Sequence, residues 1–397
     1  MLNVIIKSFF LILISSFFLF FDNFFWINIL LSFFLCFLYF KSSSYSLFFI
    51  VPLLNISFLL FVNLLSNGNF SYLQNAKISG FYTDALYFEF LFWFVFSIFT
   101  QNFFITKSYK NIEISNYFYM VSLLFIIFEA LISYPHFFKP YTIKSDTGTL
   151  FFELSCLLFS LSVIYTPKNV FSLKYLFLFF FILFVVIAIG KRLPFSYIIM
   201  AYLFIASHKF NKLKILCLYT IIFVGGFFLG LLRDSYSGNL DIFSAFSSTN
   251  QGAVLYSSSV YIYFSDVYLD YTDRLLSFFS NFFGTLILPM SLLPEVTSIN
   301  FFVTKFIPIQ GNGGFISSYS YLFMSYPGLF LIPMLLVFFS KLKISSYNYL
   351  MFFFFLVTSN RLLLYNIGPI FRLLSFLILI LLFFHIFVFI YKKLLFK

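Results

Sequence analysis

The chain has 397 residues, of which 62% are hydrophobic and only 9% charged, with a net charge of +11. A soluble domain carries about a quarter charged residues. The composition therefore excludes one and indicates an all-α polytopic integral membrane protein, built from apolar runs of roughly the 20 residues that a bilayer core demands. The 72 phenylalanines are lipid-facing and packing mass, and no site is read from them.

At the amino terminus Lys7 precedes an apolar run, but Phe20, Phe21 and Asp22 stand where a signal-peptide cleavage site needs small residues, so the run is expected to stay as a first span. Hydropathy then places spans near 4–21, 24–40, 47–66, 85–105, 117–134, 149–165, 174–190, 193–207, 215–232, 315–339, 348–360 and 370–391. The expectation is about 12 transmembrane helices in a single membrane domain over 1–397. Nine lie within 1–232, a long periplasmic loop follows at about 233–310, and three lie within 311–397. Cys36, Cys156 and Cys217 fall inside apolar spans and are odd in number, which supports neither a disulfide framework nor a thiolate metal site.

The connections alternate in charge. Fourteen of the nineteen lysines, Lys7, Lys41, Lys212 and Lys341 among them, fall in connections that can share one side. The positive-inside rule makes that side cytoplasmic, along with both termini. Of the thirteen acids only Glu113 joins them. All five arginines, Arg192, Arg233, Arg274, Arg361 and Arg372, then fall on the opposite side. Arginine grips phosphates bidentately, so an outward set indicates an anionic ligand such as a lipid pyrophosphate.

Gly190-Lys191-Arg192-Leu193-Pro194 is a short outer turn that would hold two cations at the membrane surface; snorkelling is the plainer reading. Arg233 closes the ninth span, and Arg361 and Arg372 flank the last outer turn. Glu89, Glu129 and Glu153 lie just inside outer ends, where buried charge needs a partner or a substrate. In the long loop, Asp266, Asp270, Asp273 and Arg274 fall at helical spacing, so Asp270 can pair with Arg274 and the three acids can share a face. A divalent-cation site needs a ligand loop that the sequence lacks, and a solvated face with one surface ion pair is the expectation. Tyr256, Tyr261, Tyr263, Tyr268 and Tyr271 suit a sugar-binding wall or an interfacial belt equally well. The stretch 278–293 reads as re-entrant or surface-lying. Gly311-Asn312-Gly313-Gly314, leading to Ser317-Ser318-Tyr319 and Pro327-Gly328, is a turn that can aim backbone N–H groups at an anion or serve as a flexible lead-in to a span.

Taken together, the twelve spans, the outer loop after the ninth, the Gly-Lys-Arg turn, the glycine-rich stretch and Pro327-Gly328 resemble the Wzy-type bacterial O-antigen polymerases. Related O-antigen ligases carry a histidine before the equivalent glycine-rich span, where this chain reads Gln310-Gly311-Asn312. The resemblance implies an enzyme of the bacterial inner membrane acting on undecaprenyl-pyrophosphate-linked oligosaccharide at the periplasmic face, without cofactor or metal. It also implies contact with membrane lipid, a chain-length regulator as partner, and no nucleic acid. On that reading Lys191, Arg192, Arg233, Arg361 and Arg372 hold the pyrophosphate. Glu129, His136, Asp146 and Asp234 are the candidate bases, with the choice among them open. Tyr261, Tyr263, Arg274, Gly313, Gly314 and Tyr319 are the glycan or loop contacts. The competing class is a flippase for the same lipid-linked units, although no internal repeat is evident.

Overall fold

A computed structural model describes residues 2–20, 23–65, 78, 80–100, 103–105, 110–137, 149–166, 171–189, 193–235, 250–281, 313–343, 349–364 and 368–395. The described chain is all-helical: α1 (Leu2–Phe20), α2 (Phe24–Lys41), α3 (Ser46–Leu65), α4 (Phe81–Phe99), α5 (Ile112–Phe137), α6 (Leu150–Tyr165), α7 (Leu173–Ile189), α8 (Phe195–Ser207), α9 (Lys212–Ser235), α10 (Asn250–Tyr268), α11 (Tyr271–Phe279), α12 (Ile316–Met324), α13 (Tyr326–Lys341), α14 (Leu350–Val357), α15 (Ser359–Leu364) and α16 (Gly368–Leu395).

Among the described residues, four helical stretches are long and apolar enough to cross a membrane: Phe24–Lys41, Phe81–Phe99, Ile112–Pro135 and Gly368–Ile390. Six shorter apolar helices accompany them. Local signals set several boundaries. Asn23 caps α2 by accepting from the N–H groups of Phe25 and Trp26, and Thr149 caps α6 through Phe151 N. The tenth apolar stretch is two helices broken at Ser325, and the eleventh is two helices broken at Thr358.

The described part of the expected long loop is helical: α10 and α11 occupy it, and α10 is buried along most of Val254–Ser265. Residues 236–249 and 282–312, and with them most of the stretch 278–293, lie outside the described residues.

The chain divides into two compact units. The first, Met1–Ile105, Asn211–Leu342 and Ser359–Ile367, packs α1, α2, α10, α12 and α13 against α4. The second, Thr106–Phe210, Lys343–Thr358 and Gly368–Lys397, is built on the α5–α6 pair, with α7 against α5 and with α8, α14 and α16 against α6. Small hydroxyl residues let α5 and α6 approach closely. Ser122 Oγ donates to Ser155 O at 2.8 Å and Ser155 Oγ returns a bond to Ser122 O at 2.9 Å. Further along, Ser115 Oγ donates to Ser162 O at 2.7 Å and meets the hydroxyls of Thr166 and Tyr175.

Candidate functional site

Within the first unit, helix α4 runs between two chemically different ends. At its carboxyl end, Lys7 Nζ donates to Ser97 O at 2.9 Å and Lys341 Nζ to Phe99 O at 2.7 Å. Lys212 likewise donates to the carbonyls of Tyr39, Phe40 and Ser42 where α2 ends. These ammonium groups satisfy carbonyls that a helix terminus leaves without partners. Asp84 lies in the first turn of α4, 15 residues before Phe99 and so roughly 22 Å away at about 1.5 Å per residue.

At the Asp84 end a buried guanidinium organises the side chains. Arg274, only 8% exposed, donates from Nη2 to Asp266 Oδ1 at 3.1 Å and to Ser265 O at 2.6 Å, and from Nη1 to Tyr321 O at 3.2 Å. The Tyr321 hydroxyl donates to the same Asp266 Oδ1 at 2.9 Å, and the guanidinium carbon stands 5.5 Å from the Tyr321 ring centre. This corrects the expected Asp270–Arg274 pair and the shared acidic face. The helix breaks after Tyr268, and Asp270 instead caps α11, accepting from Asp273 N at 2.7 Å. The break swings Arg274 back toward Asp266, and the ion pair is buried on the arginine side rather than solvated.

The break between α12 and α13 completes this region. Ser325 adopts φ 55°, a left-handed value disfavoured for a residue with a Cβ. In a continuous helix Tyr321 and Tyr326, five positions apart, would point roughly 140° from each other. Across the break their ring centres are 5.4 Å apart. Phe88 of α4 stacks on Tyr321 at 4.5 Å and meets Tyr326 edge-on at 5.6 Å. The carboxylates of Asp84 and Asp266 both act electrostatically on the Tyr326 hydroxyl.

Both glycine signals are explained by close approach. A Cβ on Gly314 would lie 2.7 Å from Tyr261 Cε2, and one on Gly328 would lie 1.9 Å from Ser320 O. Gly314 N donates to Leu364 O at 2.9 Å, and Phe315 N donates to Ser258 Oγ at 2.7 Å. Tyr261 and Tyr319, expected as glycan contacts, are buried rings joined through their hydroxyls at 3.2 Å. The rings form part of the cradle that makes Gly314 necessary.

The amino end of α12 faces a buried carboxyl group. Glu89 is fully buried, and its Oε1 accepts from Trp93 Nε1 at 2.7 Å. Its carboxyl faces both the N–H and the hydroxyl of Ser317. Yet neither Oε2 nor Ser317 Oγ closes a hydrogen bond of good geometry among the described residues, and neither do the buried hydroxyls of Ser257, Ser318 and Ser359. Within and just after the glycine-rich segment, the N–H groups of Gly314 and Phe315 are taken by Leu364 O and Ser258 Oγ and that of Ser317 is turned toward Glu89, so these three are not aimed at an external anion, which corrects that expectation for the described residues.

The remaining expected site residues divide between the units. Tyr263, half-buried, packs edge-on against Phe81 at 5.5 Å in the first unit. Arg361 lies in α15 of the same unit, and Gly313 directly precedes the Gly314 contact. Glu129 and Arg372 belong to the second unit, where Arg372 is exposed near the start of α16. Glu129 is fully buried; Ser133 Oγ donates to it at 2.7 Å, and Thr149 donates through both its N–H and its hydroxyl. That carboxylate joins the carboxyl end of α5 to the start of α6. His136 lies in the last turn of α5, and Arg233 and Asp234 in the last turn of α9, with side chains outside the described residues. Asp146, Lys191 and Arg192 lie wholly outside them. Sequence reasoning missed Asp84, Tyr321 and Tyr326 as neighbours of Asp266. Nothing local marks residues 55 positions apart as partners, and the only trace was the Tyr326-Pro327-Gly328 turn. In comparisons with known proteins, no family model, curated protein or solved structure matches the chain.

Proposed function

We propose that the chain is a multi-pass bacterial inner-membrane enzyme of about twelve spans, with both termini cytoplasmic, that polymerises undecaprenyl-pyrophosphate-linked repeat units of a surface polysaccharide at the periplasmic face. The observation that carries this reading is the polarity of helix α4. Lysine ammonium groups gather at one end, and a buried Arg274–Asp266 pair set in aromatic rings stands at the other. By the positive-inside rule the lysine end is cytoplasmic, which turns the acidic, aromatic end toward the periplasm, where lipid-linked glycan is met.

In the reaction the acceptor sugar hydroxyl attacks the anomeric carbon of the growing chain. The bond from that carbon to the pyrophosphate oxygen breaks, and lipid pyrophosphate leaves with the electron pair. Arg233, Arg192, Lys191, Arg361 and Arg372 are the cations proposed to steady the developing charge, since guanidinium groups do this without a metal. Arg274 serves differently, because both of its terminal nitrogens already bond to Asp266 and two carbonyls. The hydroxyl proton passes to a base among Asp234, Asp146 and His136, while the partners of Glu129 give that carboxylate a bracing role. A chain-length regulator is the expected protein partner.

The helix break at Ser325 favours one second reading, a flippase for the same units, since transporters place broken helices at their binding sites. Deleting the gene in its host and resolving the surface polysaccharide on a gel separates the two. A single repeat unit on the lipid core supports the polymerase. Loss of even that unit indicates the flippase or a ligase, and an unchanged ladder removes all three. Alanine at Arg233 or Arg192 should abolish long chains at normal protein abundance, with lysine restoring them only in part.

A further inference from the structure

The geometry points to a sugar-binding subsite formed by the Asp266 carboxylate and the Tyr326 ring; it rests on the polymerase reading and supplies that enzyme with a place for a pyranose of its glycan substrate. Both strong donors to Asp266, Arg274 Nη2 and the Tyr321 hydroxyl, bind Oδ1. Oδ2 receives no hydrogen bond from the described residues, and the side chain is 37% exposed. The carboxylate is thus held in orientation by a buried cation, and its second oxygen is left without a protein donor among the described residues. Beside it the Tyr326 ring is 54% exposed, yet it is held nearly perpendicular to both Tyr321 and Phe88, at 86° and 81°.

A rigid open ring next to an immobilised carboxylate matches a sugar. The apolar face of a pyranose lies on the ring, and adjacent hydroxyls donate to the carboxylate oxygen. The charge at this place selects against the pyrophosphate. Asp84 and Asp266 both bear on Tyr326, and among the described residues the guanidinium placed here, that of Arg274, is paired with Asp266. The subsite therefore takes the neutral, hydroxyl-rich part of the substrate, and the anion is held by other cations. A metal ion is a poorer occupant, because among the described residues no group of three His, Cys, Asp or Glu side chains is placed to hold one.

Lipid contact alone would account for an exposed aromatic ring, and Phe330, 51% exposed on the next turn of α13, is the internal control. The test uses the purified full chain in detergent and the host's own repeat-unit oligosaccharide released from its lipid, with saturation-transfer NMR as the readout. Tyr326→Ala should weaken binding by about tenfold, and Asp266→Asn by a similar factor, because an amide nitrogen replaces the second acceptor oxygen. Tyr326→Phe keeps the ring and should restore most of the binding, and Phe330→Ala should match the wild type. Equal saturation transfer in wild type and Tyr326→Ala overturns the subsite, as does an equal loss in Phe330→Ala. Failure of the polymerase reading shows separately, as an unchanged polysaccharide ladder after gene deletion.

Discussion

Each unit buries a glutamate and a row of serines, yet it treats them in opposite ways. Along the α5–α6 seam of the second unit the polar groups are satisfied: Glu129 receives Ser133 and Thr149, and Ser122 and Ser155 bond each other's carbonyls. Between α4, α10 and α12 of the first unit, Glu89 keeps one oxygen without a bond, and the hydroxyls of Ser257, Ser317 and Ser318 find no partner among the described residues. Buried polar groups are nearly always paired, since an unpaired one costs about 1–3 kcal/mol. The seam of the second unit uses its polar atoms to hold helices together. The first unit carries more polar capacity than its packing consumes, and it carries it on α4, α10 and α12, the helices that also bear Phe88, Asp266 and Tyr321.

The contrast breaks first at Arg274, whose two terminal nitrogens are engaged by a carboxylate and two carbonyls. Arg274→Ala leaves Asp266 without its countercharge and strips a donor from two carbonyls, and breaking a buried pair in this way costs about 3–5 kcal/mol. Thermal unfolding in detergent should show the largest drop of any single polar substitution in the unit, and a wild-type midpoint would mean that the pair does not organise this end of α4. Gly328→Ala comes next. Its Cβ meets a backbone oxygen that cannot step aside, so about 3 kcal/mol is expected, the upper end of overpacking costs. Gly314→Ala presses on a ring edge and should cost about 1 kcal/mol. Gly80→Ala, with nothing within 4 Å, should fall within about 0.5 kcal/mol of wild type.

The helices were legible wherever the sequence offered an apolar run, because hydropathy alone dictates α-helix when no water is available to the backbone. Helix α10 was not legible. Ser257-Ser258-Ser259 reads as loop, but Ser258 and Ser259 return their hydroxyls to the carbonyls of Val254 and Leu255 at 2.7 and 3.0 Å, and this lets serine be buried inside a helix. The acidic spacing of 266–274 predicted a continuous helical face and failed for a related reason. Asp270 is a better cap than a helix-interior residue, and once it caps α11 the register that would pair it with Arg274 is lost. The glycines at 314 and 328 were conspicuous in the sequence, but their cause was not, since it lies in Tyr261, 53 positions away, and in a carbonyl of the preceding helix. Asp266 was visible as an acid. Its pairing with Arg274 and Tyr321 depends on two helix breaks that no local pattern announces.

The two fully buried glutamates, Glu89 and Glu129, sharpen the comparison at intermediate scale. Glu129→Gln puts an amide where the N–H and hydroxyl of Thr149 both donate, and loss of hydrogen bonds to a charged acceptor is expected to cost about 1.5–3 kcal/mol. On the proposed polymerase reading, long polysaccharide chains should persist in whatever protein still folds if Glu129 serves only to brace α6, and their loss would return it to the candidate bases. Glu89→Gln keeps a carbonyl oxygen for Trp93 Nε1 and removes only an oxygen that bonds nothing among the described residues. Its stability should stay within about 1 kcal/mol of wild type. Equal destabilisation by the two substitutions would show that Glu89 is as fully engaged as Glu129.

The smallest effects distinguish the serines. Ser115 Oγ touches a carbonyl and two hydroxyls within 3.0 Å, all in the second unit. Ser115→Ala removes one member of that set while Thr166 and Tyr175 keep their mutual bond at 2.7 Å, so a loss of about 1 kcal/mol is expected. Ser317→Ala deletes a buried hydroxyl that closes no bond, and the same principle predicts a change between zero and a gain of about 1 kcal/mol. Unfolding midpoints measured side by side in one detergent read the sign directly. Opposite signs would mean that the second unit's hydroxyls serve the fold, while Ser317 is retained at a cost to it. A loss at Ser317 equal to that at Ser115 would mean that its hydroxyl is already satisfied by Glu89 Oε2, and the surplus polarity of the described first unit would shrink to Asn28, Ser257, Ser318 and Ser359.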